Sequence, residues 1–282
     1  MNNSDAWSWE IKAKEEWYRF KFNELTQYKE LLFRFVRRDL LSTYQQTIIG
    51  KFWIFLQPLL TTMVYVIVFG NFIKTSTYGV PLVLFYLPGT IIWNFFSDSM
   101  TGTMYTFISN SHIFSKVYFP RIISPLSVLC TQFIRLGIQV LLFFSIYFVY
   151  TFLYPDLFVA ANFWALPFLI LLTAAFGMGT GLIFSVLIAK YRDIENFVQF
   201  GLRLFMFATP VLYSSAVIPE EFRALYWANP LTPVIETFRS AFLTHSVIPQ
   251  EFYINSTLTV SVILITGLIL FKKQEVKVMD TI

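Results

Sequence analysis

The chain has 282 residues, of which 56% are hydrophobic, 20% aromatic and only 13% charged. Soluble domains carry about 25% charged residues, so this composition excludes a soluble globular protein and indicates a polytopic, all-α integral membrane protein. The net charge is +4, and a single cysteine, Cys130, excludes an internal disulfide. The two histidines, His112 and His245, stand far apart without other ligands nearby, so no metal site is expected.

Residues 1–52 form a polar, basic arm that is predicted to be cytoplasmic. Its polar start indicates no cleaved signal peptide. Leu25, Tyr28, Leu32 and Phe35 recur at helical spacing, which predicts an amphipathic helix lying in the membrane interface. Periodicity alone favours a lipid anchor and a docking surface equally. The side chains expected on its docking face are Arg34, Arg37, Arg38 and Asp39.

Residues 53–271 are predicted to form a transmembrane domain of six helices, since about 20 apolar residues cross a bilayer. The apolar segments cover about 52–73, 82–108, 122–150, 163–189, 197–213 and 254–271. Residues 272–282 are expected to be a short cytoplasmic tail.

Three segments between the spans carry most of the polar residues. The first is an inner loop at 109–121, called the island below; the second is an inner loop at 190–195. Prolines divide 215–247 into two pieces, Glu220–Ala228 and Pro233–Thr244, which are too short to cross the membrane. We expect a pair of helices that dip into its outer half, as non-spanning backbone there must be buried in protein or line a wet cavity.

The distribution of positive charge predicts the orientation. Sixteen of the 21 lysines and arginines fall in the arm, the two inner loops and the tail, and three fall in the outer segments. Basic residues accumulate on the cytoplasmic side. Both termini are therefore predicted to be cytoplasmic.

The island has a composition suited to contact with another protein. Lys116 and Arg121 make it basic, and Pro120 predicts that a short helical turn stops near Phe119. An exposed Val-Tyr-Phe sequence at that point is expected to act as a knob for a partner. The island residues proposed to contact it are Ser111, His112, Ile113, Phe114, Ser115, Lys116, Val117, Tyr118, Phe119, Pro120 and Arg121.

Nucleotide chemistry is missing from the sequence. No GxxxxGK[ST] motif occurs, so ATP binding through a P-loop is not expected. The glycine-rich run from Gly177 to Gly181 lies inside an apolar span, where small residues let helices pack closely.

Three charged residues fall inside predicted spans: Asp98, Arg135 and Arg203. Buried charges in membranes are usually paired or face a cavity. An ion pair between Asp98 and Arg135 and a functional role are both open, and Arg203 could face the cavity or pair with Glu195.

Aromatic residues on the first two spans could form a path for sugars, because flat rings stack on sugar rings. The ordinary alternative is that they face lipid. The candidates are Trp53, Phe55, Tyr65, Tyr86, Trp93 and Phe96.

An ordered set of motifs resembles a known group, the membrane subunits of ABC-2-type polysaccharide exporters, which include O-antigen and teichoic-acid permeases. The motifs are Arg37-Arg38-Asp39-Leu40, Gln57-Pro58, the island sequence KVYFPR, Tyr191-Arg192-Asp193-Ile194, Thr209-Pro210 and Asn229-Pro230-Leu231-Thr232-Pro233. The resemblance covers about residues 17 to 275.

The resemblance implies a transporter subunit without an ATPase site of its own. It implies a homodimer of permeases beneath which a dimer of ATPase subunits binds ATP and Mg²⁺, with the island as the coupling helix and Tyr191, Arg192 and Asp193 as a second inner contact. A lipid-linked polysaccharide would leave across the bacterial inner membrane, and no nucleic acid is involved. The residues implied at an outer gate are Glu220, Arg223, Trp227, Asn229, Pro230 and Arg239.

Two alternatives remain. One is a related ABC-2 permease for a small drug or lipid. The other is a membrane-embedded glycan transferase, which would need clustered carboxylates; those of this chain are scattered.

Overall fold

The computed structural model describes residues 26–45, 48–73, 80–114, 116–117, 119–154, 165–214, 217–242 and 249–279. Every regular element in these ranges is helical. The helices are α1 (Lys29–Tyr44), α2 (Gly50–Phe72), α3 (Leu82–Met104), α4 (Thr106–Ser109), α5 (Ser111–Phe114), α6 (Ile123–Leu153), α7 (Ala165–Lys190), α8 (Ile194–Phe207), α9 (Arg223–Ala228), α10 (Leu231–Phe242) and α11 (Gln250–Met279). Helix α2 begins with a 3₁₀ turn at Gly50–Phe52 and ends with a π-helical segment at Val66–Phe72.

Four of these helices are long and apolar enough to cross a membrane: α2, α6, α7 and α11. They confirm the first, third, fourth and last predicted apolar segments. Helix α3 is 23 residues long but carries Asn94 and Asp98 among its apolar residues. Helix α8 has 14 residues, which at 1.5 Å per residue is about 21 Å and shorter than a hydrocarbon core of about 30 Å.

The predicted fifth segment, 197–213, is helical only up to Phe207. Pro210 disfavours helical backbone at the residue before it. The chain turns over residues 208–213 instead. The sequence predicts that Pro210 interrupts this segment late, and this is confirmed, since the helix ends at Phe207, three residues before that proline.

Helices α3 and α7 form the centre of the bundle. Helix α3 packs against α2, α6, α7 and α10, and most of its side chains are buried. Helix α7 lies between α3 and α11. The central position of α3 accounts for its polar residues, because a helix surrounded by protein need not present a wholly apolar surface to lipid.

Glycines allow the backbones of these central helices to touch. A Cβ atom at Gly181 would lie 2.6 Å from the Cβ atom of Thr103 on α3. On the other side of α7, a Cβ atom at Gly179 would lie 2.8 Å from the Cα atom of Leu264 on α11. Both separations are too short for real side chains, so the prediction that the Gly177–Gly181 run serves helix packing is confirmed.

Helix α11 extends beyond the predicted span. The sequence predicts its end near Phe271, followed by a polar tail, whereas the helix continues to Met279. Phe271, at the predicted end, and Glu275, in the extension, are both buried. The extra turns persist because they pack against the island, as described below.

The two predicted short helices are present as α9 and α10. Helix α9 follows a 3₁₀ turn at Glu220–Phe222, and α10 is buried along almost its whole length. It packs against α3, α7 and α11. Phe143 of α6 contacts Phe238 and Phe242 of α10 with ring centroids 5.2 and 5.3 Å apart. This aromatic cluster fixes α10 at the end of the bundle opposite the island.

Candidate functional site

The island begins at Asn110, a buried residue that joins three parts of the chain. Its side-chain amide donates hydrogen bonds to the Thr106 carbonyl at 3.1 Å and to the Ser124 hydroxyl at 2.8 Å. Its side-chain oxygen accepts a hydrogen bond from Arg38 of α1 at 3.2 Å. The one-turn helix α5 starts directly after it. Asn110 therefore holds the start of the island against both α6 and α1.

Phe119 holds the far side of the island in place. It is only 3% exposed. Its ring meets Phe35 of α1 edge-on at 5.7 Å and Phe114 of α5 at 5.5 Å. The expectation of an exposed Phe119 is wrong, because the apolar face of α1 covers this ring. Together with Ile123, these residues form a small second core separate from the main one.

Arg121 ties the island to the end of α11. Its backbone N–H donates to the Glu275 carboxylate at 3.0 Å, and its guanidinium donates to the Glu275 carbonyl at 3.2 Å. Lys272 also donates to this carboxylate, at 2.9 Å. Arg121 and Glu275 are each 4% exposed. A buried charge needs partners of this kind, so Arg121 is a structural residue and not part of an accessible knob.

The outward face of the island is small and basic. Ser111, His112, Lys116 and Val117 are exposed, whereas Ile113, Phe114 and Pro120 are half-buried. Val117 is 57% exposed. Ser115 and Tyr118 lie outside the described residues. The island thus presents a polar and apolar surface from a base that is fixed at both ends.

Helix α1 is amphipathic as predicted, although Leu25, the first residue of the predicted pattern, lies outside the described residues. Tyr28, Leu32 and Phe35 pack in the second core, and Arg34 and Arg37 are exposed on the other face. Arg38 and Asp39 form an ion pair with each other at 2.8 Å, and Arg38 also reaches Asn110 at the start of the island. Asp39 accepts a hydrogen bond from Ser127 of α6 at 3.4 Å. Arg38 thus positions the island directly, and Asp39 joins α1 to α6.

The second inner loop is exposed at Tyr191, Arg192 and Asp193. The Lys190 ammonium lies 4.9 Å from the centre of the Tyr191 ring, a cation–π contact. Close by, the Tyr105 hydroxyl donates to the Glu195 carboxylate at 2.7 Å. This bond joins α8 to the junction of α3 and α4, next to the island.

The charged residues inside the predicted spans separate into two cases. Arg135 lies 3.9 Å from the carboxylate of Asp98, which confirms the ion pair between α3 and α6. Arg203 is exposed on α8 and makes no ion pair within the described ranges. Glu195, its predicted alternative partner, is bound to Tyr105 instead.

The candidate sugar-path aromatics also separate into two groups. Trp53 of α2 is 44% exposed, and Phe55 and Tyr65 on the same helix are half-buried. Tyr86, Trp93 and Phe96 of α3 are 0%, 7% and 1% exposed. The last three rings pack against protein, including Phe205 of α8 at 5.9 Å from both Trp93 and Phe96. Their position is that of core residues, which corrects the expectation that they line a path.

Arg239 of α10 is the centre of a buried polar cluster at the opposite end of the bundle. It is 3% exposed. Its guanidinium donates to the carbonyls of Phe85, Val211 and Tyr213 at 3.2, 3.0 and 3.2 Å. A Cβ atom at Gly89 would lie 3.2 Å from this guanidinium and equally close to the Val211 backbone. Glycine at this position therefore leaves the room that the cluster needs.

Glu236 neutralises Arg239 within the same cluster. Its carboxylate lies 3.4 Å from Arg239 and accepts a hydrogen bond from the Tyr226 hydroxyl at 2.9 Å. Burial, and then the charge of Glu236, raise the pKa of Tyr226. The phenol therefore remains protonated and able to donate.

The remaining predicted gate residues lie around α9. Asn229 donates to Thr209 at 2.9 Å and accepts a hydrogen bond from the Leu231 backbone N–H at 3.0 Å, so its side chain pairs a backbone donor at the start of α10. Trp227 stacks on Phe252 of α11 at 4.2 Å. Glu220 and Arg223 form an exposed ion pair at 3.6 Å.

Sequence reasoning missed four residues that hold these sites: Asn110, Glu275, Glu236 and Tyr226. Asn110 falls at the boundary between an apolar span and the island, a position typical of a helix cap. Glu275 carries no such signal, because it stands in a polar tail. Among the residues that the structure describes, no three His, Cys, Asp or Glu side chains are grouped to hold a metal ion.

Comparison with known proteins gives a consistent result over most of the chain. Residues 30–243 match the sequence profile of the ABC-2 type transporter family. The chain is 30% identical over 244 residues to the O-antigen export system permease protein RfbA of Klebsiella pneumoniae, covering 86% of this chain and 92% of the relative. It is 29% identical over 244 residues to a protein of the same description from Myxococcus xanthus, covering 86% and 91%. On these matches, and with four apolar helices able to span a membrane, the chain belongs to the ABC-2 type transporter family and is the membrane subunit of a transporter.

Proposed function

We propose that this chain is the permease subunit of an ABC exporter that moves an O-antigen-like, lipid-linked polysaccharide across the bacterial inner membrane. Its relatives in Klebsiella pneumoniae and Myxococcus xanthus are described as O-antigen export permeases. The sequence has no P-loop, so ATP and Mg²⁺ would be bound by a separate ATPase dimer beneath two copies of the permease. In this proposal the chain itself catalyses no reaction.

The proposed coupling to the ATPase rests on how the island is held in the fold. It links α3, the central helix, to α6, and its base is locked by Asn110, Phe119 and Arg121. A segment held this firmly transmits a displacement of its exposed face to the helices that anchor it. An ATPase that grips Lys116 and Val117 in one nucleotide state more tightly than in another would thereby bias the permease between two conformations.

We also propose six spans, with both termini in the cytoplasm. Four of these spans would be the long apolar helices, and the other two would be α3 and α8. The turn over residues 208–213 would complete the span of α8. Helices α9 and α10 would then dip into the outer half of the membrane. Support comes from the basic residues concentrated in the arm, the two inner loops and the tail.

The polysaccharide path would run along α2 and α8 where two copies meet. These helices carry large exposed side chains, including Trp53 and Leu60 on α2 and Phe200 and Leu204 on α8. Trp53, Phe55 and Tyr65 remain candidates to contact sugar rings. Arg203 is exposed on the same face of the fold as these α8 residues and is a further candidate.

The coupling role is tested by a pair of charge substitutions on exposed valines. Val117→Asp places a carboxylate on the island surface, and Val217→Asp makes the same change at the opposite end, where Val217 is 53% exposed. The tagged chain would be purified from membranes, and the ATPase subunit recovered with it would be quantified. We expect at least about a tenfold loss of ATPase for Val117→Asp, as for a contact at the centre of an interface, and little change for Val217→Asp. Equal recovery from both variants would contradict the coupling role.

The substrate class needs a separate measurement. In the producing bacterium, deletion of the chain should abolish surface polysaccharide and cause lipid-linked glycan to accumulate inside the cell. The ATPase rate of the purified complex should rise with added lipid-linked glycan and not with hydrophobic drugs. Stimulation by drugs or simple lipids instead would favour the alternative ABC-2 permease.

A further inference from the structure

A groove of about 330 Å³ lies where α1, the start of α2 and α6 meet. Its walls are apolar and come from all three helices, represented by Leu40, Ile54 and Ile138. Two basic residues, Arg37 and Lys51, also line it. The groove thus combines a long apolar surface with a concentrated positive charge.

The surroundings of the groove are those of a membrane interface. Phe33 on its α1 side is 67% exposed, and Ile48 and Phe52 beside Lys51 are fully and 74% exposed. A group of large exposed apolar side chains marks a surface that lipid or another protein covers. Arg37 and Lys51 are exposed too, and neither forms an ion pair with another described residue.

Charge and apolar surface together identify the occupant. The positive charges of Arg37 and Lys51 favour binding of a negative group, and the apolar walls favour binding of a hydrocarbon chain next to it. An amphiphile with an anionic head group supplies both, and the membrane leaflet around the helix contains it in excess. A basic residue near an anionic membrane surface strengthens binding about fivefold.

We propose that this groove binds an anionic phospholipid of the surrounding leaflet, with its phosphate between Arg37 and Lys51 and an acyl chain along Leu40, Ile54 and Ile138. The bound lipid braces α1 against α2 and α6. Since α1 carries Phe35 and Arg38, which hold the island, the lipid stabilises the island from behind. The site goes beyond the export function and does not depend on which polysaccharide is carried.

The test measures lipid that stays bound to the protein. The full-length chain, with any ATPase subunit that accompanies it, would be reconstituted in nanodiscs of equal parts phosphatidylglycerol and phosphatidylethanolamine and analysed by native mass spectrometry. We expect retained phosphatidylglycerol in the wild type and about 25-fold weaker retention in Arg37→Gln/Lys51→Gln. The matched control is Lys190→Gln/Lys273→Gln, which removes two charges from exposed positions away from the groove and should leave retention unchanged.

A second variant tests the apolar wall with the charges intact. Ile134 of α6 also lines the groove and is 43% exposed, so Ile134→Trp fills the space without disturbing the core. It should also lower phosphatidylglycerol retention. Equal retention of both lipids by the wild type, or an unchanged Arg37→Gln/Lys51→Gln variant, would overturn the proposal. Loss of the ATPase subunit with lipid retention intact would likewise overturn it, because the groove would then be a protein contact.

Discussion

The two ends of the bundle each contain a buried arginine, but the two arginines are held in different ways. Arg239 lies among the carbonyls of three residues from two other segments and is neutralised by Glu236. Arg121 is joined to Glu275 by two hydrogen bonds and lies 5.3 Å from the centre of the Phe114 ring. One side chain thus fixes the turn after α8, α3 and α10 at once, whereas the island depends on several separate pairwise contacts.

This difference predicts different consequences of damage. Removal of Arg239 leaves several buried acceptors without a donor in a closed space, which is costly. Loss of one contact at the island leaves the others in place. The end with Arg239 should therefore unfold cooperatively, whereas the island end should lose its structure locally, one contact at a time.

The largest effect is expected for Arg239→Ala. Removing one partner of a buried ion pair costs about 3–5 kcal/mol, so the variant should show a much lower midpoint of thermal unfolding in detergent. Arg223→Ala is the matched control, because that arginine is exposed and, among the described residues, forms an ion pair with Glu220 alone, which is exposed too. Surface ion pairs of this kind contribute about 0–1 kcal/mol. Equal midpoints for the two variants would show that the Arg239 cluster does not hold this end together.

A smaller and more local effect is expected for Phe119→Ala. Loss of a buried phenylalanine costs about 3 kcal/mol or more in a main core, but Phe119 belongs to the small second core, so the loss should fall mainly on the island and α1. Hydrogen exchange should increase in both segments and stay unchanged in α7. Phe197→Ala, at a position on α8 that is 76% exposed, serves as control. A uniform increase across all helices would break the distinction between the two ends.

The smallest effect is expected for Glu275→Ala. Glu275 also pairs with Lys272, but that side chain is 16% exposed and can be solvated in the variant. Hydrogen bonds to charged groups contribute about 1.5–3 kcal/mol, and here the loss should appear as faster hydrogen exchange in the last two turns of α11 and around Arg121. Lys273→Ala, an exposed position on the same helix, should not change exchange at Arg121. If Glu275→Ala lowered the unfolding midpoint as far as Arg239→Ala, the island end would be as cooperative as the opposite end.

Much of the fold could be predicted because hydrophobic periodicity reports where a helix meets lipid or core. It located four apolar spans and the amphipathic α1, and the prolines of 215–247 located the two short helices before the last span. The ion pair between Asp98 and Arg135 was one of two alternatives that the sequence left open. The contact of Gly177–Gly181 with neighbouring helices also followed from composition alone.

The errors occurred where long-range packing outweighs local composition. Phe119 stands in a basic loop next to a proline, which looks exposed, yet α1 covers it from more than 80 positions earlier in the chain. Helix α11 continues past Lys272 and Lys273 because Glu275 finds Arg121, 154 residues away. The sequence places Arg239 in an outer segment between two spans, and only the fold shows that three carbonyls surround its side chain. No local pattern contains these partners.

The glycine contacts of α7 have a mechanical consequence. Where backbones touch, as at Gly179 against α11 and Gly181 against α3, no side chain remains that could change rotamer to let one helix slide past another. Helices α3, α7 and α11 should therefore behave as one stiff rod. The island is fastened to this rod twice, through α3 and α4 on one side and through Glu275 on the other. A displacement of the island should therefore move these three helices together, including the end of α3 that Arg239 joins to α10.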